Sequence, residues 1–123
     1  MTNKVNLADK LSQIREYWKP RIIGELNGQE VKLARLQGTL VWHHHENRDE
    51  LLLCLSGRLR IEFQDGSVEL GVGAFTIVPR GTEHRTSADE EVHVLVFEPA
   101  GTRNTGNVKD PMFTTADVPL QRE

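Results

Sequence analysis

The feature that most constrains the fold of this chain is a series of short segments of alternating apolar and polar residues, separated by turns that contain glycine. The candidate strands cover residues 21–26, 31–33, 38–45, 50–55, 61–63, 68–70, 74–78 and 91–97. Asn27-Gly28 and Asp65-Gly66 are typical of tight hairpins, because glycine tolerates the positive φ that such turns need. Many short strands at this spacing predict an all-β fold, either a sandwich or a small barrel.

One helix is expected before the strands. Its apolar stripe consists of Leu7, Leu11, Ile14 and Trp18, at the spacing of one helical face. Asn6 can cap its start, and Pro20 ends it, so we predict a helix over about residues 6–18. The stripe is expected to pack against the rest of the domain or against a second subunit.

Length and composition limit the classes of protein that remain. A chain of 123 residues fits a single domain, with a barrel over about residues 21–98 and a tail over residues 99–123 that lies on the surface or is partly disordered. The formal net charge of -3 with mixed signs argues against a nucleic-acid partner. No apolar run approaches the roughly 20 residues that cross a bilayer, so no membrane association is expected. The polar start and the single cysteine, Cys54, favour the cytoplasm, and Cys54 itself is expected to be a buried, unreactive thiol.

Three histidines and one glutamate are candidates for a metal site. His43 and His45 lie two residues apart, so in a strand their side chains share one face. Glu50 begins an apolar strand, where an unpaired buried carboxylate would be costly and a cation would compensate it. His84 follows the turn after Pro79. Each of these residues alone has an ordinary alternative: an incidental histidine pair, a solvated glutamate, and a surface or capping histidine. The loop acids Glu46 and Asp49 are competing ligands.

Taken together, these residues form two motifs. The first reads G-x4-H-x-H-x4-E-x6-G from Gly38 to Gly57, and the second reads G-x5-P-x-G-x2-H from Gly73 to His84. The pair resembles the cupin family, specifically the small single-domain bacterial cupins. Four residues separate Gly38 from His43 where the family usually has five, and Ala88 stands where asparagine is common. The resemblance implies a double-stranded β-helix jelly roll in which His43, His45, Glu50 and His84 ligate one metal ion.

Three imidazoles and a carboxylate suit one divalent transition metal ion, and Fe, Mn, Ni, Co and Zn all remain open. Four protein ligands would leave positions for a small-molecule ligand. We therefore expect a metal-dependent enzyme acting on a small polar metabolite, of isomerase, lyase or dioxygenase type, and sugar-phosphate isomerase-like by resemblance. The alternative is a non-catalytic module that binds a small molecule through the metal. A purely structural metal is disfavoured, because structural sites close their coordination shell.

A few further residues have open roles. His93 alternates with Val92 and Val94, so its side chain faces either the cavity or the outside. If it faces the cavity, it is an acid–base group or a residue that orients a metal ligand. If it faces outward, it is an ordinary interface histidine. His44 is expected to point away from the metal, towards a subunit contact with Trp42. The resemblance implies a homodimer built from sheet edges and the N-terminal segment, with Trp18 and Trp42 as candidates for the interface.

Overall fold

The structure, a computed structural model, describes residues 4–115 and 118–119. It contains one short helix and eight strands in the described ranges. They are α1 Leu7–Ser12, β1 Arg21–Leu26, β2 Gln29–Thr39, β3 Glu50–Ser56, β4 Leu59–Phe63, β5 Gly66–Leu70, β6 Phe75–Val78, β7 His84–Pro99 and β8 Val118–Pro119. The predicted all-β fold with a short N-terminal helix is confirmed. None of the helical segments within the described ranges combines the length and apolar character needed to span a bilayer.

The long strand β7 organises the sheet. It runs antiparallel to β2 from Gln29↔Pro99 to Thr39↔Ser87 along one edge. Along its other edge it pairs first with β4 and then with β3. β3 continues to β6, β4 to β5, and β2 to β1 through the Asn27-Gly28 turn. Both turn residues have positive φ, +51° and +75°, as this sequence predicts.

Alternation along β2 and β7 decides what lies inside the barrel. Val92, Val94 and Val96 of β7 point inward and are almost fully buried. They pack with Leu36 of β2 and with the other members of the main core. Towards one end of the barrel the same inward alternation continues with polar residues, so β2 and β7 deliver charged groups next to the apolar core.

The helix is shorter than predicted. It ends at Ser12 rather than near Trp18, and the Arg35 side chain satisfies carbonyls at and just beyond that end: it donates to the Leu11 carbonyl at 2.8 Å and to the Ile14 carbonyl at 2.5 Å. Ile14 packs on Leu33 against the outside of its own sheet. Of the two expected partners for the stripe, the structure therefore shows the chain's own domain.

Trp18 does not belong to the helical stripe. It has a φ of +64°, its backbone N–H donates to the Arg35 carbonyl at 2.9 Å, and its ring lies in the main core. The expectation that Trp18 lies on a subunit interface is wrong, because the ring is 9% exposed and packs edge-on against Phe113.

The segment after β7 is not a loose tail over its described part. Thr102 and Thr105 are buried, at 2% and 0% exposure, so the surface placement predicted for residues 99–123 is wrong there. The Asn107 N–H donates to the His44 carbonyl at 3.0 Å, which fastens the segment to the candidate metal ligands. The remainder of the predicted tail, residues 116–117 and 120–123, lies outside the described residues, as do residues 1–3.

Candidate metal centre

The backbone brings the two halves of the motif together. His43 and His84 form an isolated antiparallel bridge, in which each backbone N–H donates to the other's carbonyl at 2.9 Å. The strand predicted over 38–45 is regular only to Thr39, where β2 ends. Beyond it the pairing continues through the bond from the Leu40 N–H to the Thr86 carbonyl, at 2.9 Å, and through this bridge. Glu50 is the first residue of β3 and pairs with Val78, just before the turn that leads to His84.

All four predicted ligand side chains meet at one point inside the barrel. The side-chain nitrogens of His43, His45 and His84 lie within 4.8 Å of one another. The Glu50 carboxylate faces them, with Oε2 at 3.6 Å from His45 Nε2 and Oε1 at 3.5 Å from His84 Nε2. Each of the four residues is at most 8% exposed. The cluster is therefore a buried set of nitrogen and oxygen ligand atoms.

Backbone carbonyls define how two of the imidazoles are protonated. His43 Nδ1 donates to the Val41 carbonyl and His84 Nδ1 donates to the Thr82 carbonyl, both at 2.9 Å. A carbonyl can only accept, so in the neutral ring the proton lies on Nδ1 and the lone pair on Nε2. The Nε2 atoms of His45 and His84 are buried and have no hydrogen-bond partner. This is the arrangement in which a histidine offers Nε2 to a cation.

Burial keeps the three imidazoles uncharged. Burial, with a smaller contribution from neighbouring imidazoles, lowers the pKa of His43 to about 4 and that of His45 to about 3. The pKa of His84 is also lowered, chiefly by burial. At neutral pH all three rings are therefore neutral, which is the form that ligates metals.

A second buried carboxylate, Glu98, was not predicted. It forms another possible ligand group with His45 and Glu50, whose ligand atoms also lie within 4.8 Å of one another. Glu98 is 3% exposed, and its carboxyl lies against that of Glu50, with which it can share a proton. Burial raises the pKa of both carboxyls, and the charge of Glu50 raises that of Glu98 further. The inward alternation of Val92, Val94 and Val96 extends to Glu98 and was the signal that could have found it.

Lys32 supports Glu98 from behind. Its Nζ lies 3.0 Å from Glu98 Oε1 and 3.8 Å from Glu30 Oε1, and it also donates to the Thr102 carbonyl at 3.3 Å. Lys32 is 1% exposed. A buried ammonium in this position fixes Glu98 on the wall beside the histidines, through two charged contacts and the segment that follows β7.

The remaining histidines lie elsewhere. His93 is on the outer face of β7, where its Nε2 lies 2.7 Å from Glu91 Oε2 and 3.2 Å from the Arg35 guanidinium. The expectation of a cavity-facing acid–base role for His93 is therefore wrong, because the inward positions of β7 are its even-numbered neighbours. His44 points away from the cluster, as expected, and contacts Glu46 and Glu83. A subunit contact at His44 and Trp42 stays a prediction.

The competing ligands and the cysteine are also placed away from the cluster. Asp49 binds the Arg80 backbone and guanidinium, and Glu46 is held by His44. Cys54 is fully buried, and burial raises the pKa of its thiol. It is the inert core thiol that the sequence predicts.

A cavity of ≈ 50 Å³ opens beside the cluster. His43, Glu50, His84 and Glu98 form its polar end, and most of the remaining wall is apolar. A rolled antiparallel sheet with a cluster of histidines and a carboxylate opening into a cavity defines the class of protein as a small cupin.

Comparison with known proteins identifies the family. The chain belongs to the Cupin_2 family, whose cupin-domain model matches residues 29–98. It is 36% identical over 87 residues to the protein YdbB of Bacillus subtilis strain 168, covering 70% of this chain and 77% of YdbB. The match confirms the resemblance that the two motifs carry.

Two solved structures are similar along most of the chain. One is a cupin-2 domain-containing protein from Shewanella frigidimarina, with 37% identity and a TM-score of 0.76 over 77% of this chain and 93% of that one. The other is protein NMB1881 from Neisseria meningitidis, with 30% identity and a TM-score of 0.73 over 80% of this chain and 100% of that one. These similarities confirm the jelly-roll barrel.

Proposed function

We propose that this cupin binds one divalent transition-metal ion through His43, His45, Glu50 and His84, and is an enzyme that acts on a small molecule held in the adjacent cavity. The observation that carries the proposal is the pair of buried, unpartnered Nε2 atoms of His45 and His84 facing the Glu50 carboxylate. Leaving a buried polar atom unsatisfied costs about 1–3 kcal/mol. A cation among these lone pairs would remove that cost for every group at once.

The donor set fits a first-row transition metal. Three neutral imidazole nitrogens and one carboxylate suit Mn, Fe, Co, Ni or Zn, whereas calcium and magnesium prefer oxygen ligands. Bound there, the ion would supply a Lewis acid to an oxygen or nitrogen of a small molecule. The carbonyls of Val41 and Thr82 would hold the rings of His43 and His84 in the ligating tautomer throughout.

Glu98 favours an enzyme over a passive binding module. It lines the cavity next to Glu50, and the two carboxyls can share a proton. A buried carboxyl with a raised pKa in a cavity is a candidate acid–base group. Lys32 would hold the carboxyl in place by its contact with Oε1.

Metal content tests the first half of the proposal. His45→Gln is compared with His44→Gln, which changes the same residue type one position earlier but on a side chain that points away from the cluster. After equilibration with Co²⁺ and removal of excess metal, wild type and His44→Gln are expected to retain about one ion per chain, and His45→Gln less than one tenth of that. Equal metal content in the two variants would refute the ligand set.

Turnover tests the second half. Metal-loaded protein is assayed against carbonyl compounds, thiols and phenols, with dioxygen consumption and product formation followed together. Glu98→Gln is expected to reduce turnover at least tenfold while the metal content stays at the wild-type level. Ligand binding without turnover across the panel would instead identify a metal-dependent binding module.

We also propose that the chain pairs in solution as a homodimer, although not through α1. The outer face of β3, β6 and β7 carries neighbouring apolar side chains, among which Leu51 pairs with both Ile77 and Phe97, and Leu53 pairs with Phe75. Phe75 and Ile77 are 58% and 54% exposed. Contiguous exposed apolar surface of this kind marks interaction sites. A cytoplasmic location stays a prediction.

A further inference from the structure

The wall of the cavity restricts the chemistry of its ligand. Apart from the cluster and Glu98, the lining is almost entirely apolar and includes Trp18, Leu36, Leu40, Leu52 and Val96. These side chains cannot exchange hydrogen bonds with a hydroxylated body. A molecule rich in hydroxyl groups would lose its bonds to water there without replacement, which costs about 1–3 kcal/mol for each group.

The polar side chains outside the cluster add little. Asn104 lines the cavity, but its amide is already used: Nδ2 donates to the Phe113 carbonyl at 2.7 Å and Oδ1 accepts from the Thr115 N–H at 2.9 Å. Thr86 contributes one hydroxyl to the wall. Polar recognition is therefore concentrated at one end of the cavity, at the cluster and Glu98.

Positive charge is missing from the lining. No arginine or lysine of residues 4–115 and 118–119 lines the cavity. Lys32 is buried beside Glu98, but Glu98 and Glu30 already engage its ammonium group. Phosphate and carboxylate groups are bound in proteins mainly by arginine, lysine and helix N-termini, and this lining offers none of them.

The cavity also limits size. Its volume of ≈ 50 Å³ is room for roughly three to five water-sized groups, taking 10–15 Å³ for each. Only a short molecule, or the end of a longer one that extends out of the opening, can enter.

We infer that the ligand of this site is a small uncharged molecule with an apolar body and a single oxygen- or nitrogen-bearing end, and is not a sugar phosphate or another anion. This inference rests on the proposed metal site, because the polar end of the ligand meets the cluster. It departs from the expectation of a polar, sugar-phosphate-like substrate that the family resemblance suggested.

Three probes of equal size test it: propionamide, propionate and glycolamide. Propionate changes only the charge of propionamide, and glycolamide replaces its methyl group by a hydroxyl. Binding to cobalt-loaded protein is followed by the visible absorption of the metal and by calorimetry. Propionamide is expected to bind at least tenfold more tightly than propionate and at least threefold more tightly than glycolamide. Dihydroxyacetone phosphate, as a sugar phosphate, is expected to bind more weakly than propionamide.

A charge variant provides the control. Thr86→Lys adds a cation to the cavity lining and should reduce the preference for propionamide over propionate severalfold, while Glu25→Lys, at an exposed position, should leave it unchanged. Equal or tighter binding of propionate or of the sugar phosphate to wild type, or no binding of propionamide, overturns the inference. If cobalt is taken up and the preference is reversed, only the ligand class is wrong. If the chain takes up no cobalt, the metal site fails and the ligand class with it.

Discussion

The packing of Gly106 against the candidate metal ligands leads to a quantitative prediction for Gly106→Ala. A Cβ at this position would lie 2.2 Å from the His44 carbonyl oxygen and 3.0 Å from His43 Cδ2, and the residue has a φ of +55°. The left-handed backbone costs alanine about 1 kcal/mol. Relief of the contact with backbone must also move the segment, which breaks the Asn107 N–H bond to the His44 carbonyl and the His44 N–H bond to Asn107 Oδ1.

Each of these two hydrogen bonds contributes about 1 kcal/mol. We therefore expect Gly106→Ala to lower the free energy of unfolding by about 3 kcal/mol. Gly101→Ala is the matched control: Gly101 also has positive φ, +80°, but a Cβ there meets only the Arg48 side chain at 4.0 Å. It should lose only about 1 kcal/mol, the backbone cost alone.

The assay is urea unfolding of both variants and wild type after metal removal by a chelator, with the retained Co²⁺ measured on parallel loaded samples. Because the displaced segment lies on His43, Gly106→Ala should also bind Co²⁺ more weakly, while Gly101→Ala should bind it as wild type does. Equal loss of stability in the two variants would show that the close approach to His44 has no energetic effect, and the reasoning would fail.

Three further predictions follow from the buried charges and the exposed face. Between about pH 6.5 and pH 4, metal-free protein should lose stability as the pH falls, because the buried His43 ring stays neutral while the same ring in the unfolded chain gains a proton. His43→Gln should therefore reduce the pH slope of the unfolding free energy by about one proton. An unchanged slope would contradict this explanation. Lys32→Met should destabilise the fold by about 3–5 kcal/mol in chemical denaturation, because it leaves the buried Glu98 carboxyl without its partner. Lys32→Met/Glu98→Gln should cost less, since both partners are then removed. Equal losses would show that the contact between the two side chains does not matter. Phe75→Thr/Ile77→Thr should convert a dimer to a monomer in sedimentation without loss of metal, and a monomeric wild type would refute the interface.

The sequence predicted the parts of the fold that depend on local rules. The Asn27-Gly28 hairpin follows from the conformational freedom of these two residues, and the inward faces of β2 and β7 follow from alternation. The end of the helix did not follow, because the segment after Ser12 is held by contacts distant in sequence, among them the bonds from Arg35 of β2 to the Leu11 and Ile14 carbonyls. Local periodicity cannot register such a contact.

The same distinction applies to the site. The sequence motifs predicted that His43, His45, Glu50 and His84 would meet, and the structure brings these four side chains together. Glu98 was missed because the predicted strand stops at Phe97, one residue early. The inward alternation of Val92, Val94 and Val96 continues to Glu98 in the sequence. Whether the His93 side chain points into the barrel depends on the register of β7, because a shift of one residue reverses every inward and outward position of a strand.

The cluster and the cavity are linked through electrostatics. A barrel of this size gains its stability from apolar burial. It nevertheless places three imidazoles, three carboxylates and an ammonium group inside, each of which costs free energy to remove from water. Lys32 offsets part of the cost for Glu98, but nothing among the described residues offsets the unpartnered nitrogens of His45 and His84. We expect a bound ligand to offset this free-energy cost. A cation is the kind of ligand that satisfies imidazole lone pairs and a carboxylate together. The apolar wall beside the cluster can then be selected independently for the small molecule that meets the ion.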